Sequence, residues 1–184
     1  MINIDPIWLP ENQQQLFRNM LNAMSYPGRC YPIPTRPQTG HSVLSVLASF
    51  LDVHVSLADP DQILDKEDWS MLQMQSSSTE QADYIVCDGR LGCRFEPKLG
   101  SLKHPEQSAT LFLLVAQLNA GEQKLELTGP GILTKEYLTL HGLEPQWLEK
   151  REEWVMDFPM GVDVFFVDNT QISALPRTTK IKVI

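Results

Sequence analysis

Arg177-Thr178-Thr179 carries the strongest suggestion of chemistry in this chain: a planar guanidinium beside two hydroxyls. Such a group holds an anion through several directed N–H and O–H bonds. The same arginine could instead pair with a carboxylate inside the protein. Asp163 is the one at hand, in an otherwise apolar run from Val162 to Val167. A lone buried charge is costly, so Asp163 must be paired or hydrogen-bonded. Structural pairing is weighed against duty as a general base. A third feature is Gly129-Pro130-Gly131. Backbone N–H groups in such a turn can form a concavity for a phosphate, but Pro130 has no N–H to give. A rigid exit from a strand is the competing reading.

Other chemistries lack their residues. There is no GxxxxGK[ST] phosphate loop, no GxGxxG and no GxSxG nucleophile elbow. His41, His54, His104 and His141 do not fall at zinc-site spacing, so no metal is expected. Cys30, Cys87 and Cys93 are an odd set at irregular spacing, which reads as reduced, partly buried thiols. A Schiff-base role needs a desolvated lysine. Lys180 and Lys182 alternate on a closing strand and read as exposed edge residues. No cofactor is expected.

The 184 residues suit one domain, read here as 1–184, with 42% hydrophobic and 21% charged residues. A formal charge of -8 argues against nucleic-acid partners and against an anionic membrane surface. No apolar run approaches a membrane span, and the amino-terminal residues lack a basic start and apolar run, so a cytoplasmic protein is expected.

The elements that must position these residues follow from periodicity. After Pro10, with Asn12 as cap and Gln15 reaching back, residues Leu16, Phe17, Met20, Leu21 and Met24 form an apolar helical face, with Arg18 and Asn19 on the polar one. A second helix, capped by Thr39 or Ser42, carries Val43, Leu44, Val46, Leu47, Phe50 and Leu51. Pro145 opens a third, with Trp147, Leu148, Arg151 and Trp154 along one side. Strands are expected at 29–33, 53–57, 84–87, 162–167, 172–175 and 180–184. The near-continuous apolar run 109–116 reads as a central strand covered on both faces. It is expected to pair with 124–128 as a hairpin turning at Asn119-Ala120-Gly121. Asp59-Pro60-Asp61, Asp88-Gly89 and Asp168-Asn169 read as turns. The interleaving predicts an α/β domain, a mixed sheet flanked by helices.

Four segments, in order along nearly the whole chain, resemble the PhnH family, the H subunits of bacterial carbon–phosphorus lyase systems. They are Phe17-Arg18 running to Ala23-Met24-Ser25-Tyr26-Pro27-Gly28; Pro105-Glu106 leading into Ala109-Thr110-Leu111; Leu125 to Ile132; and Phe158-Pro159-Met160-Gly161-Val162-Asp163 with Ala174-Leu175-Pro176-Arg177-Thr178-Thr179. The resemblance implies a fold similar to PLP-dependent transferases but without PLP. It implies a homodimer that joins the G, I and J subunits in a core complex. That complex uses ATP to attach an alkylphosphonate to ribose, displacing adenine, before radical chemistry in the J subunit breaks the carbon–phosphorus bond. The H subunit would be required in the first step as an accessory part. The alternative is a nucleotide- or phosphonate-binding subunit that uses Arg177 and the Gly129–Gly131 turn.

Overall fold

The computed structural model describes residues 5–38, 40–50 and 53–184. Thr39 and Leu51 of the second helix, and the amino-terminal reading at 1–4, lie outside them. The elements run α1 (Pro10–Ser25), β1 (Tyr31–Pro32), α2 (Val43–Ala48), β2 (Ser56–Ala58), α3 (Lys66–Leu72), β3 (Gln75–Ser76), β4 (Tyr84–Asp88), β5 (Thr110–Leu114), β6 (Gln117–Thr128), β7 (Glu136–His141), α4 (Gln146–Trp154), β8 (Asp163–Val167), β9 (Gln171–Leu175) and β10 (Lys180–Val183).

A seven-stranded mixed sheet in the order β1-β9-β8-β5-β4-β2-β3 forms the middle layer. From β8 to β3 all neighbours are parallel, while β9 and β1 add antiparallel strands at one edge. β5 is central, and its alternation shows why the run is apolar throughout. Leu111 and Leu113 face one buried cluster and Phe112 faces the other. Phe112 stacks on Phe165 of β8 at 5.4 Å between ring centroids. On the Phe112 side the cover is α1 and α2, through Leu16, Met20, Val43 and Leu47. On the other side lie α4 and a second sheet, β10-β6-β7, through Trp147, Trp154, Leu125, Leu127 and Leu138.

That second sheet corrects the expected hairpin. β5 does not pair with β6. It lies between β4 and β8, whereas β6 pairs with β7 and β10. Asn119 (φ 58°) and Gly121 (φ 107°) do not end a strand; they lie where the β6–β7 register shifts between Leu118 and Gln123.

Two details of α1 also differ from expectation. Pro10 at its first turn fits, but Leu9 is the cap residue, and Asn12 Nδ2 donates to the Pro6 carbonyl instead of capping. The buried seam is Leu16, Asn19, Met20 and Ala23, while Phe17 and Leu21 stay exposed. Asn19, placed on the polar face by periodicity, is buried because its Nδ2 donates to the Pro32 carbonyl at 2.7 Å. In α3, Asp65 accepts from the N–H groups of Glu67 and Asp68, and Asp68 accepts from the Asp65 N–H, a reciprocal cap that fixes the start of the helix. α4 buries all four residues expected along its face. Among the described residues no helix is long and apolar enough to cross a membrane.

Candidate functional site

The parallel strands β4, β5 and β8 start and stop together, and a cleft opens at each end. Tyr84, Thr110 and Asp163 stand side by side at the amino ends of β4, β5 and β8; Asp88, Leu114 and Val167 stand side by side at the carboxyl ends.

The amino-end cleft, about 550 Å³, holds the arginine and aspartate singled out in the sequence. Asp163 heads β8, and Arg177 sits on the turn just after β9, the antiparallel neighbour of β8. Arg177 Nη2 donates to Asp163 Oδ2 at 2.6 Å and Nε to Oδ1 at 3.4 Å, while the Arg177 backbone N–H reaches Oδ1 at 2.7 Å. Nη1 donates to the carbonyls of Pro105 (2.9 Å) and Pro159 (3.3 Å), and Nη2 also to Ser108 Oγ (2.6 Å). A guanidinium has five N–H bonds, and every nitrogen of this one is engaged within the chain. Of the two arrangements weighed for Arg177, the internal ion pair with Asp163 is the one this geometry carries. Nearby, burial works to raise the Asp83 carboxyl, but the Lys98 ammonium and the Ser56 donors outweigh it and hold the group below its ordinary range.

The remaining sequence candidates do not converge on that cleft. Thr178 is exposed, and Thr179 is buried with its hydroxyl unpaired among the described residues. Gly129 packs on the Thr178 backbone, where a Cβ would sit 2.9 Å from the carbonyl oxygen. Gly131 packs on the end of α1, where a Cβ would sit 2.1 Å from the Ser25 carbonyl oxygen. Both glycines have positive φ (136° and 81°), so the turn is built for close approach between layers. Lys180 and Lys182 are exposed on β10, and Arg18 is exposed on α1.

The carboxyl-end cleft was not singled out by its residues. It encloses about 360 Å³, floored by Leu114, Val115, Ala116 and Val167 and walled by His41, Asp61, Asp88, Arg90, Asp168 and Asn169. Open α/β sheets bind ligands at this end of their strands. Gly89 joins floor to wall: its N–H donates to the Leu114 carbonyl at 2.8 Å, and a Cβ there would lie 2.6 Å from that oxygen. The Asp88 N–H donates to Asp61 Oδ2 at 2.9 Å. Asp88 grips Arg90 through Nη2–Oδ2 at 2.6 Å and Nε–Oδ1 at 2.9 Å, and that guanidinium holds the Asp88 carboxyl below the usual range. Asp168 is buried and structural, accepting from the N–H groups of Leu118, Thr170 and Gln171 and from the Thr170 hydroxyl. Among the described residues no group of three or more His, Cys, Asp or Glu could hold a metal ion. The signal in the sequence was three acidic turns, each directly after an apolar strand.

The model of the family described as bacterial phosphonate metabolism protein (PhnH) matches residues 7–182. The chain belongs to that family. Among its relatives is a "Putative C-P lyase subunit protein HtxG" from Stutzerimonas stutzeri, 38% identical over 177 residues, which span 96% of this chain and 89% of that protein. An "Alpha-D-ribose 1-methylphosphonate 5-triphosphate synthase subunit PhnH" from Rhizobium meliloti (strain 1021) is 33% identical over 84 residues, 46% of this chain and 42% of that one. The PhnH resemblance read from four segments therefore holds from near one end of the chain to near the other.

Proposed function

We propose that this chain is an accessory subunit of a carbon–phosphorus lyase assembly in the breakdown of organic phosphonates. In this reading it is required for making α-D-ribose 1-methylphosphonate 5-triphosphate from ATP and an alkylphosphonate. The observation that carries it is the end-to-end similarity to HtxG, a protein named as a putative lyase subunit. The finer parts of the reading are a homodimer, partnership with the G, I and J subunits, a cytoplasmic location, expression under phosphate starvation and a PLP-transferase-like fold that does not use PLP.

The surface is consistent with an assembly partner. Phe17 and Leu21 on α1 are 39% and 52% exposed and rim an apolar groove of about 150 Å³ with Met24, Phe50 and Phe165. Exposed apolar rows of this kind are what subunit contacts cover. Arg177, whose nitrogens are all engaged internally, offers a phosphonate little at the amino-end cleft, which favours the accessory role over the ligand-binding alternative.

The test is affinity purification of the tagged chain from phosphate-starved cells. Co-purification of G, I and J subunits in fixed proportion is the expected result. A complex reconstituted without this chain that makes the ribose phosphonate triphosphate at full rate would overturn the proposal.

A further inference from the structure

The carboxyl-end cleft has a polarity that selects its ligand. Its walls are rich in acceptors. Asp88 is neutralised by Arg90, and Asp168 takes up donors from its own loop and from Leu118 of β6, so the carboxylate left over is Asp61. Only one of its oxygens is used, by the Asp88 N–H, and no other donor from the described residues reaches the carboxylate. A half-buried carboxylate oxygen facing a cleft accepts from hydroxyl groups and repels a bare anion. The floor, Leu114 to Ala116 with Val167, is apolar and suits the carbon face of a sugar ring. At the mouth, Arg90 is 69% exposed; Asp88 fixes its Nε and Nη2, leaving the Nη1 edge pointing away from the pair with donors to spare. About 360 Å³ is far more than a water or an ion needs and is at the small end of ligand pockets.

We infer that this cleft binds a ribosyl group, with ring hydroxyls on Asp61 and a phosphoryl or phosphonyl substituent directed outward to Arg90. The choice of ribose among polyols rests on the proposed place of the chain in an assembly that makes a ribose phosphonate. The location and polarity of the site do not depend on that reading. Nor does the site use Arg177, which lies at the opposite ends of the same strands.

The probe is ribose 5-phosphate, titrated into the full chain and followed by backbone amide chemical shifts, with inorganic phosphate and ribose as controls. Saturable shifts confined to residues 61, 88–91 and 114–116 are expected with ribose 5-phosphate. Inorganic phosphate should give none there. Asp61→Asn keeps an acceptor for the Asp88 N–H and should weaken binding about tenfold, the loss of one charge-assisted bond. Arg90→Ala, a change at an exposed side chain, should weaken ribose 5-phosphate and leave ribose unchanged. The inference is overturned by no saturable shift, by shifts at the Arg177 cleft instead, or by both variants binding like the parent. Co-purification with lyase subunits alongside no ribose 5-phosphate binding would sink this inference alone. Binding without co-purification would sink the accessory-subunit reading alone.

Discussion

Replacing Arg177 by alanine tests whether that residue is a clamp. The change removes side-chain bonds to four residues from three separate segments: Asp163 on β8, Pro105 and Ser108 ahead of β5, and Pro159. The two charged side chains are only 15% and 18% exposed, so solvent screens the loss weakly. Removing one partner of a buried pair typically costs about 3–5 kcal/mol. Here the backbone N–H of residue 177 still donates to Asp163 Oδ1, which places the cost at the low end, about 3 kcal/mol. For a domain of this size each kcal/mol lowers Tm by about 2–4 °C, so a fall of about 6–12 °C is expected in a thermal melt. Asp163→Asn removes the charge that Arg177→Ala strands. The double variant should therefore be more stable than the sum of the single losses, by about 1.5 kcal/mol or more in a urea titration. An Arg177→Ala melt within about 1 °C of the parent would refute the clamp, since an arginine that stabilises nothing is free for a ligand.

Two further outcomes follow from the same structure. Gly89→Ala places a methyl against the Leu114 carbonyl oxygen at 2.6 Å, so the β4–β5 junction must open. A loss of about 1–3 kcal/mol in a urea titration is expected, and unchanged stability would mean that the cleft floor is not rigid. Burial pushes the Cys30 thiol up from an ordinary 9.0 to about 11, with the Asp168 charge adding to the effect. The folded chain then holds this proton after the unfolded chain has released it. This contribution is fully present below pH 9 and is lost as pH rises from 9 toward 11. Cys30→Ser should flatten that part of the stability profile; identical alkaline profiles for parent and variant would contradict it.

The sequence was most legible where one element met one environment. The run 109–116 announced a strand covered on both faces, and Trp147, Leu148, Arg151 and Trp154 announced the buried side of α4, because packing there decides every position. It was least legible where the same local chemistry serves two geometries. Asn119 and Gly121, both with positive φ, suit a hairpin turn and a bend within a long strand equally well. Only the competition for the flank of β5, taken by β8 in parallel, decides for the second. In α1 the period identifies a broad apolar face but not which part of it is covered. The contact with β1 and β9 selects Leu16, Asn19, Met20 and Ala23 and leaves Phe17 and Leu21 outside.

The ligand cleft was illegible for a reason of direction. Asp61, Asp88 and Asp168 each lie in a turn that follows a strand, and a period-two pattern says nothing about which way a strand runs. Were β2, β4 and β8 alternately antiparallel, their following turns would fall at opposite ends of the sheet and the carboxylates would not meet. Because β2, β4, β5 and β8 are successive parallel neighbours, the turns gather at one end and the strand starts, with Asp163, at the other. The same fact separates the roles of the two ends. Arg177 and Asp163 tie the amino ends to the loops before β5 and β8, so the strands are held from below. The carboxyl ends keep an open floor and an incompletely satisfied Asp61. A sheet tied at one end and open at the other leaves Asp61 and Arg90 outside that tie, while Arg177 and Asp163, the pair that looked most reactive in the sequence, satisfy each other.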